Sequence, residues 1–378
     1  MEALQDFSFS MKVKSGSPID LFKAINYHHA NMDEATTRLR LVGRQADGTE
    51  WHCGWTMPEV ALFGSLMVEG QLTDLMIDQQ ASTLVPSTEL VFYADHIHPL
   101  ARVMGTNRIE KREIEVLGSR IEFAYERNNK VISITAAHSD QLPPTYTERW
   151  LTEPLRIMFG QPVVPRLVAR NNGGPAIVFI TKQPRLDISS WSSYWRDETA
   201  ESFFDVYSRL LRLVALAPER HSGEPNQITR FYDELSKVAG ASRWVIALTL
   251  AGCTEGLATL VRPHTKNELK SQERADQKAA AEFAEKIDAL DAPDKLKTIA
   301  IAALRPKGAS TDRTLKALAE AGCITREQLL TWRKLRNSVM HGEILYPYRS
   351  AKEDAKLLQL MEIVRSLTIE LLKRREYS

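Results

Sequence analysis

Arg336, Asn337 and His341 bring an arginine, an amide and a histidine together inside one apolar helical pattern, Trp332-Arg333-Lys334-Leu335-Arg336-Asn337-Ser338-Val339-Met340-His341-Gly342. Arginine keeps its proton and grips phosphate through a fork of N–H donors. Histidine titrates near neutral pH and passes protons. The pair suits phosphodiester chemistry: one group stabilises the charge growing on phosphorus, and the other moves protons.

The helix that must carry these residues is legible. Thr325 with Gln328 three positions on is a capping-box signature, and Leu329, Trp332, Leu335 and Val339 form its core stripe. Arg333, Asn337 and His341 then fall at i, i+4 and i+8, a polar face beside that stripe. Gly342 supplies a left-handed stop, which puts His341 on the last turn. Positions five apart point about 140° away from each other, so Arg336 and His341 of one chain converge only if the helix end unwinds. A two-fold dimer packing this helix against its copy would bring both pairs to one cleft. Arg333, Lys334 and Arg349 would widen such a cleft as a basic surface. Tyr346 and Tyr348 either stack a base there or pack the loop 342–350. Glu255, a lone carboxylate amid Ala251, Gly252, Leu257 and Ala258, either pairs with an arginine near the cleft as support or lies exposed.

Arg336-Asn337-Ser338-Val339-Met340-His341 resembles the R-polar-x3-H motif of the HEPN superfamily, late in a helical bundle with one long helix following. The flanking Trp332-Arg333-Lys334-Leu335 and His341-Gly342 are similar to the bacterial ApeA-type HEPN proteins, which join a β-rich N-terminal domain to a C-terminal HEPN domain and act in anti-phage defence. The resemblance implies a metal-independent endoribonuclease in which the ribose 2′-OH attacks the scissile phosphate, so that RNA and not DNA is the substrate. Arg336 would stabilise the phosphorane, His341 would be general acid or base, and Asn337 would orient His341 or the phosphate. No cofactor and no metal are expected. The resemblance also implies a homodimer through the HEPN domain, and a phage-derived trigger or a regulator at the N-terminal domain. Two plainer readings stand beside it. An arginine and a histidine near a helix end also occur as surface residues and a stabilising cap, and some HEPN domains only bind RNA or a partner.

The elements around the motif divide the chain of 378 residues into parts of different character. Ordinary hydrophobic (43%) and charged (26%) fractions argue against extensive disorder. Residues 1–226 hold 23 Lys and Arg against 28 Asp and Glu, a balance of −5, whereas 227–378 hold 26 against 20, a balance of +6. A mildly basic C-terminal part suits a polyanionic partner without requiring one. Short segments at 37–42, 50–55, 89–94, 112–116, 120–125, 130–136 and 177–181, separated by turn residues, predict a β-rich domain over 1–190. The expected form is sandwich-like or a strongly twisted antiparallel sheet. One helix intrudes near 150–160, and 120–125 with 130–136 is the clearest hairpin. A connector with a helix spans 191–226. Helical spacing predicts an all-α bundle over 227–378, with helices at 242–261, 267–290, after Pro293, at 311–321, 325–342 and 351–375. The fold class expected is therefore α+β. No basic stretch followed by an apolar one opens the sequence, and the apolar run around 244–250 is short of a membrane span. A cytoplasmic protein without a membrane partner is expected.

Other candidates carry less. Cys53, Cys253 and Cys323 are scattered, with no CxxC pair. Asp95-His96-Ile97-His98 and His28-His29 look like metal ligands, but no third ligand group is evident. His52-Cys53 has no recognisable base beside it. Asn171-Asn172-Gly173-Gly174-Pro175 lacks a phosphate-loop ending and reads as a turn. The aromatic stretch with Trp191, Tyr194 and Trp195 is either a packed connector or an interaction surface.

Overall fold

The structure is a computed structural model that describes residues 7–12, 17–30, 39–44, 50–56, 59–62, 66–72, 74–81, 83–95, 97–181, 194, 199–218, 224–262, 278–304, 311–342 and 350–376. The chain forms two compact units, Met1–Ser236 and Lys237–Ser378. The first combines a large antiparallel sheet with helices and the second is helical, so the class is α+β.

In chain order the first unit runs β1 (Phe7–Lys12), α1 (Pro18–Ala30), β2 (Leu39–Arg44), β3 (Glu50–Thr56), β4 (Glu59–Leu62), β5 (Leu66–Leu72), β6 (Asp74–Gln80) and β7 (Ser87–Tyr93). It continues through α2 (His98–Thr106), β8 (Lys111–Val116), β9 (Ser119–Glu126), β10 (Val131–Ala137), α3 (Thr147–Phe159), β11 (Leu167–Asn171), β12 (Pro175–Thr181), α4 (Ala200–Ala215) and α5 (Gln227–Lys237). Nine strands form one sheet in the order β2-β3-β6-β12-β11-β7-β10-β9-β8, and β1-β5-β4 form a separate three-stranded sheet. The expected hairpin is β9–β10, in register from Glu126 opposite Val131 to Ile121 opposite Ala136. The β8–β9 turn has Leu117 and Gly118 both at positive φ, 58° and 65°, the conformation a two-residue hairpin needs to match strand twist.

The residues 87–93 and 131–137 alternate between half-buried and buried positions, the pattern of a sheet covered on one face. The covering layer is helical. Phe123 of β9 meets Phe204 and Tyr207 of α4 edge to face, with ring centroids 5.1 Å apart in both cases. Phe159 of α3 stacks on Phe203, and the buried Tyr207 hydroxyl donates to the Leu151 carbonyl of α3 at 3.0 Å. The sandwich-like packing expected from the strand spacing is thus corrected at this face, where the second layer consists of α3 and α4. Both present wide apolar faces, with Trp150, Leu151, Leu155, Met158, Phe203, Leu210 and Leu211 all buried.

The core changes sides along the sheet. Leu90, Val168, Phe179, Met76 and His52 are successive cross-strand partners and share the helix-covered face. Cys53 therefore points the other way, and there it packs with Leu41, Trp51, Leu75 and Ile180.

Helix α5 belongs to the first unit. The buried Glu153 carboxylate of α3 accepts from the Asn226 N–H at 2.8 Å and from Thr229 Oγ1 at 2.6 Å. One turn on, Arg156 forks onto Asp233. The helical unit, expected from 227, accordingly begins at Lys237, and α4, expected within a connector, is part of the first unit's core.

The second unit holds α6 (Arg243–Val261), a helical segment 278–288 (α7), α8 (Asp294–Leu304), α9 (Thr311–Glu320), α10 (Arg326–Met340) and α11 (Ala351–Glu376). Helix α6 packs against α9, α10 and α11, and α11 runs along it with Leu357, Leu360, Val364, Leu367 and Leu371 buried. At 19 residues α6 is long and apolar enough to cross a membrane by length and composition, unlike the shorter run read from the sequence, but Ala247, Leu250, Cys253, Leu257 and Val261 are buried within the unit. The segment expected as a helix over 267–290 carries Phe283 and Leu290 toward its C-terminal end. Both are more than half exposed, as are Leu296 and Ile299 of α8, because none of these side chains finds a covering helix among the described residues.

Candidate functional site on α10

The local rules written into α10 are all observed. Thr325 Oγ1 accepts from the Gln328 N–H at 3.1 Å, and the Gln328 side chain accepts from the Thr325 N–H at 2.7 Å, a complete capping box. Leu329, Trp332, Leu335 and Val339 are each 5% exposed or less. The helix stays regular to its end. His341 N–H donates to the Asn337 carbonyl at 3.0 Å, Gly342 N–H donates to the Val339 carbonyl at 3.2 Å, and Gly342 takes φ +78°.

That regularity decides one question of geometry. The end does not unwind before His341, so the helical offset of about 140° between Arg336 and His341 persists. Asn337 and His341 lie on the outward, exposed side with Lys334, while Arg336 lies on a flank and is half-buried. One chain does not bring Arg336 and His341 together.

The flank of Arg336 faces α6. Its Nε donates to Glu255 Oε1 at 2.7 Å, with both side chains a little under two-fifths exposed. Of the two readings of Glu255, pairing with an arginine of α10 is the one observed. Arg333 pairs with Asp312 at the start of α9, Nε to Oδ1 at 2.5 Å and Nη2 to Oδ2 at 2.8 Å. That hydrogen-bonded pair raises the affinity of the Arg333 guanidinium for its proton, against the smaller opposing effect of burial. Both carboxylate oxygens and the side edge of the guanidinium are occupied, which leaves Arg333 less available to an external anion than its position suggested. Asp312 lies 21 residues away in sequence and was not singled out; its one local sign is its place as the acid in the first turn of α9.

Arg349, Tyr346 and Tyr348 lie outside the described residues, as do Trp191, Trp195 and His96. Asp95 and His98 are exposed, and among the described residues no group of three or more His, Cys, Asp or Glu side chains is placed to hold a metal ion. His52 lies 3.7 Å from Asp78. Asn171 proves to organise its turn. Its buried side chain accepts from the N–H groups of Gly173 and Gly174 and donates to the carbonyls of Thr83 and Val85.

Compared with known proteins, the chain matches no family model, and no curated protein or solved structure is significantly similar to it.

Proposed function

We propose that the chain is a HEPN-type endoribonuclease that acts without a metal, works as a homodimer, and serves anti-phage defence or a toxin-like growth arrest. The observation that carries the reading is the Arg336-Asn337-x3-His341 stretch itself, on a capped helix of an all-α unit with a long helix after it. The chemistry follows from the residue types. The 2′-oxygen attacks phosphorus as a base takes its proton, the 5′-oxygen leaves with a proton from an acid, and a 2′,3′-cyclic phosphate remains. Arg336 stabilises the extra charge on the pentacoordinate phosphorus, His341 moves protons, and Asn337 orients His341 or the phosphate. Since Arg336 and His341 diverge within one chain, a two-fold pairing of α10 with its copy supplies a complete set. Lys334, with Arg349 and Tyr346 beyond the helix, would extend the surface for RNA. The first unit takes the sensing or regulatory role, answering to a phage-derived trigger or a regulator, in the cytoplasm.

A second reading has its own support. Arg336 and Arg333 are both engaged by carboxylates, as they would be in a helical module that binds RNA or a protein without cleaving. Incubation of RNA with the full chain in EDTA separates the two. The nuclease reading expects cleavage with cyclic-phosphate ends, abolished in both Arg336→Ala and His341→Ala while each variant keeps its fold. Arrest of the reaction by EDTA, or cutting by both variants, would sink the mechanism. The binding module expects strongly salt-dependent association and no new ends.

A further inference from the structure

We infer that Glu255 is a positioning residue for Arg336, an assignment that rests on the nuclease reading above. Arg333 on Asp312, Arg243 on Asp354 and Arg156 on Asp233 each close a fork, Nε and Nη2 on one carboxylate, so that one whole edge of the guanidinium is consumed. Those pairs join α10 to α9, α6 to α11 and α3 to α5, and they serve as ties between helices. Arg336 is held differently. Only its Nε donates to Glu255, and among the described residues its two terminal amino groups have no other hydrogen-bond partner.

A guanidinium fixed through Nε is oriented about its plane while its Nη1/Nη2 edge stays open. That is the edge that meets two oxygens of a phosphate end on. Glu255 comes from α6, which packs directly against α10, so the carboxylate is anchored on a neighbouring helix and not on the motif's own. As a tie the pair would be weak, since both partners are partly exposed and water screens an ion pair placed so. Its distinguishing property is direction. A long side chain that would otherwise sample many rotamers is aimed before the substrate arrives, and aiming of this kind is worth rate rather than stability.

The charge of Glu255 gives the test its signature. Removing it takes a negative charge away from the approach of a polyanion, so RNA binding should hold or tighten while the chemical step slows. Loss of a purely structural contact would lower the melting temperature and would not split kcat from KM. The experiment measures kcat, KM and melting temperature for the full chain on a defined RNA in EDTA, as wild type and with Glu255→Gln, Glu255→Asp and His341→Ala. The expected result is a fall in kcat of about 10- to 100-fold for Glu255→Gln with KM unchanged or lower and the melting temperature held, and partial recovery in Glu255→Asp. Glu255→Gln cleaving at the wild-type rate or faster, or losing rate only through a raised KM or a lowered melting temperature, overturns the assignment while leaving the nuclease reading intact. If the wild type does not cleave, or His341→Ala cleaves equally well, the nuclease reading fails and this assignment fails with it.

Discussion

At the scale of single residues, the molecule separates arginines closed on a carboxylate by a fork from Arg336, which a single Nε bond holds. Arg333 is of the first kind. Replacing it with Ala is expected to lower the stability of the helical unit by about 0.5–1 kcal/mol, a figure already discounted for the exposure of both partners. RNA affinity should change little, and a double-mutant cycle with Asp312→Ala read by denaturant melts measures the coupling. His138 offers a prediction in pH. Burial pushes its pKa below the ordinary value of 6.5, and its Nε2 lies 2.8 Å from Oγ1 of the buried Thr88. Because the fold prefers the neutral ring, this contribution is present above pH 6.5 and is lost as pH falls through the depressed folded value. Melting temperatures of the first unit should therefore decline below neutrality, less steeply in His138→Asn; identical slopes would show that His138 is not the source. Glu153 acts in the opposite sense. Burial, outweighing the hydrogen bonds from Thr229 and Asn226, raises its pKa above 4.5, so its stabilising contribution is present below that value and is lost as pH rises through the folded pKa.

Secondary-structure elements show why some of the architecture could be read in advance. The capping box of α10, its four-residue core stripe and the stop at Gly342 depend on residues within a turn or two of each other, and each was found where local spacing put it. Removing the cap with Thr325→Ala should cost about 0.5–2 kcal/mol in the stability of the helical unit, measured by denaturant unfolding; no change would mean that the Gln328 side chain alone holds the helix start. The β9–β10 hairpin was legible for the same local reason. What covers a strand, and what pairs with an arginine, depend on residues far apart in sequence. Alternation in β7 and β10 announced one buried face but not that α3 and α4 would fill it. The motif announced Arg333 but not Asp312, and Glu255 only as one of two options. Helix α6 carries a different hint. Gly252 sits in its interior, exposed, with no atom beyond its own stretch of helix within 4 Å of where a Cβ would stand. Gly252→Ala is expected to raise stability by about 0.5–1 kcal/mol, since glycine is a poor helix former and nothing here requires it for space.

For the whole molecule, the two units differ in what holds them together and in the kind of work proposed for each. The first is built on aromatic and aliphatic burial between a sheet and its helices, with a buried carboxylate joining α3 to α5. The second is a helical bundle around α6, with polar ties at its surface. The nine-stranded sheet is open, and one of its terminal strands, β8, carries exposed Lys111, Arg112, Glu113 and Glu115. Lys111 pairs with Glu122 and Glu113 with Arg120, both of the neighbouring strand β9. An unpaired strand margin is a template onto which another extended chain can crystallise, and closely spaced ionic groups make such an addition unfavourable. The charges of the β8 margin are therefore expected to disfavour such an addition. Removing three of its four exposed charges, as in Lys111→Thr/Glu113→Thr/Glu115→Thr, should leave the protomer folded yet make its light scattering climb with concentration and time.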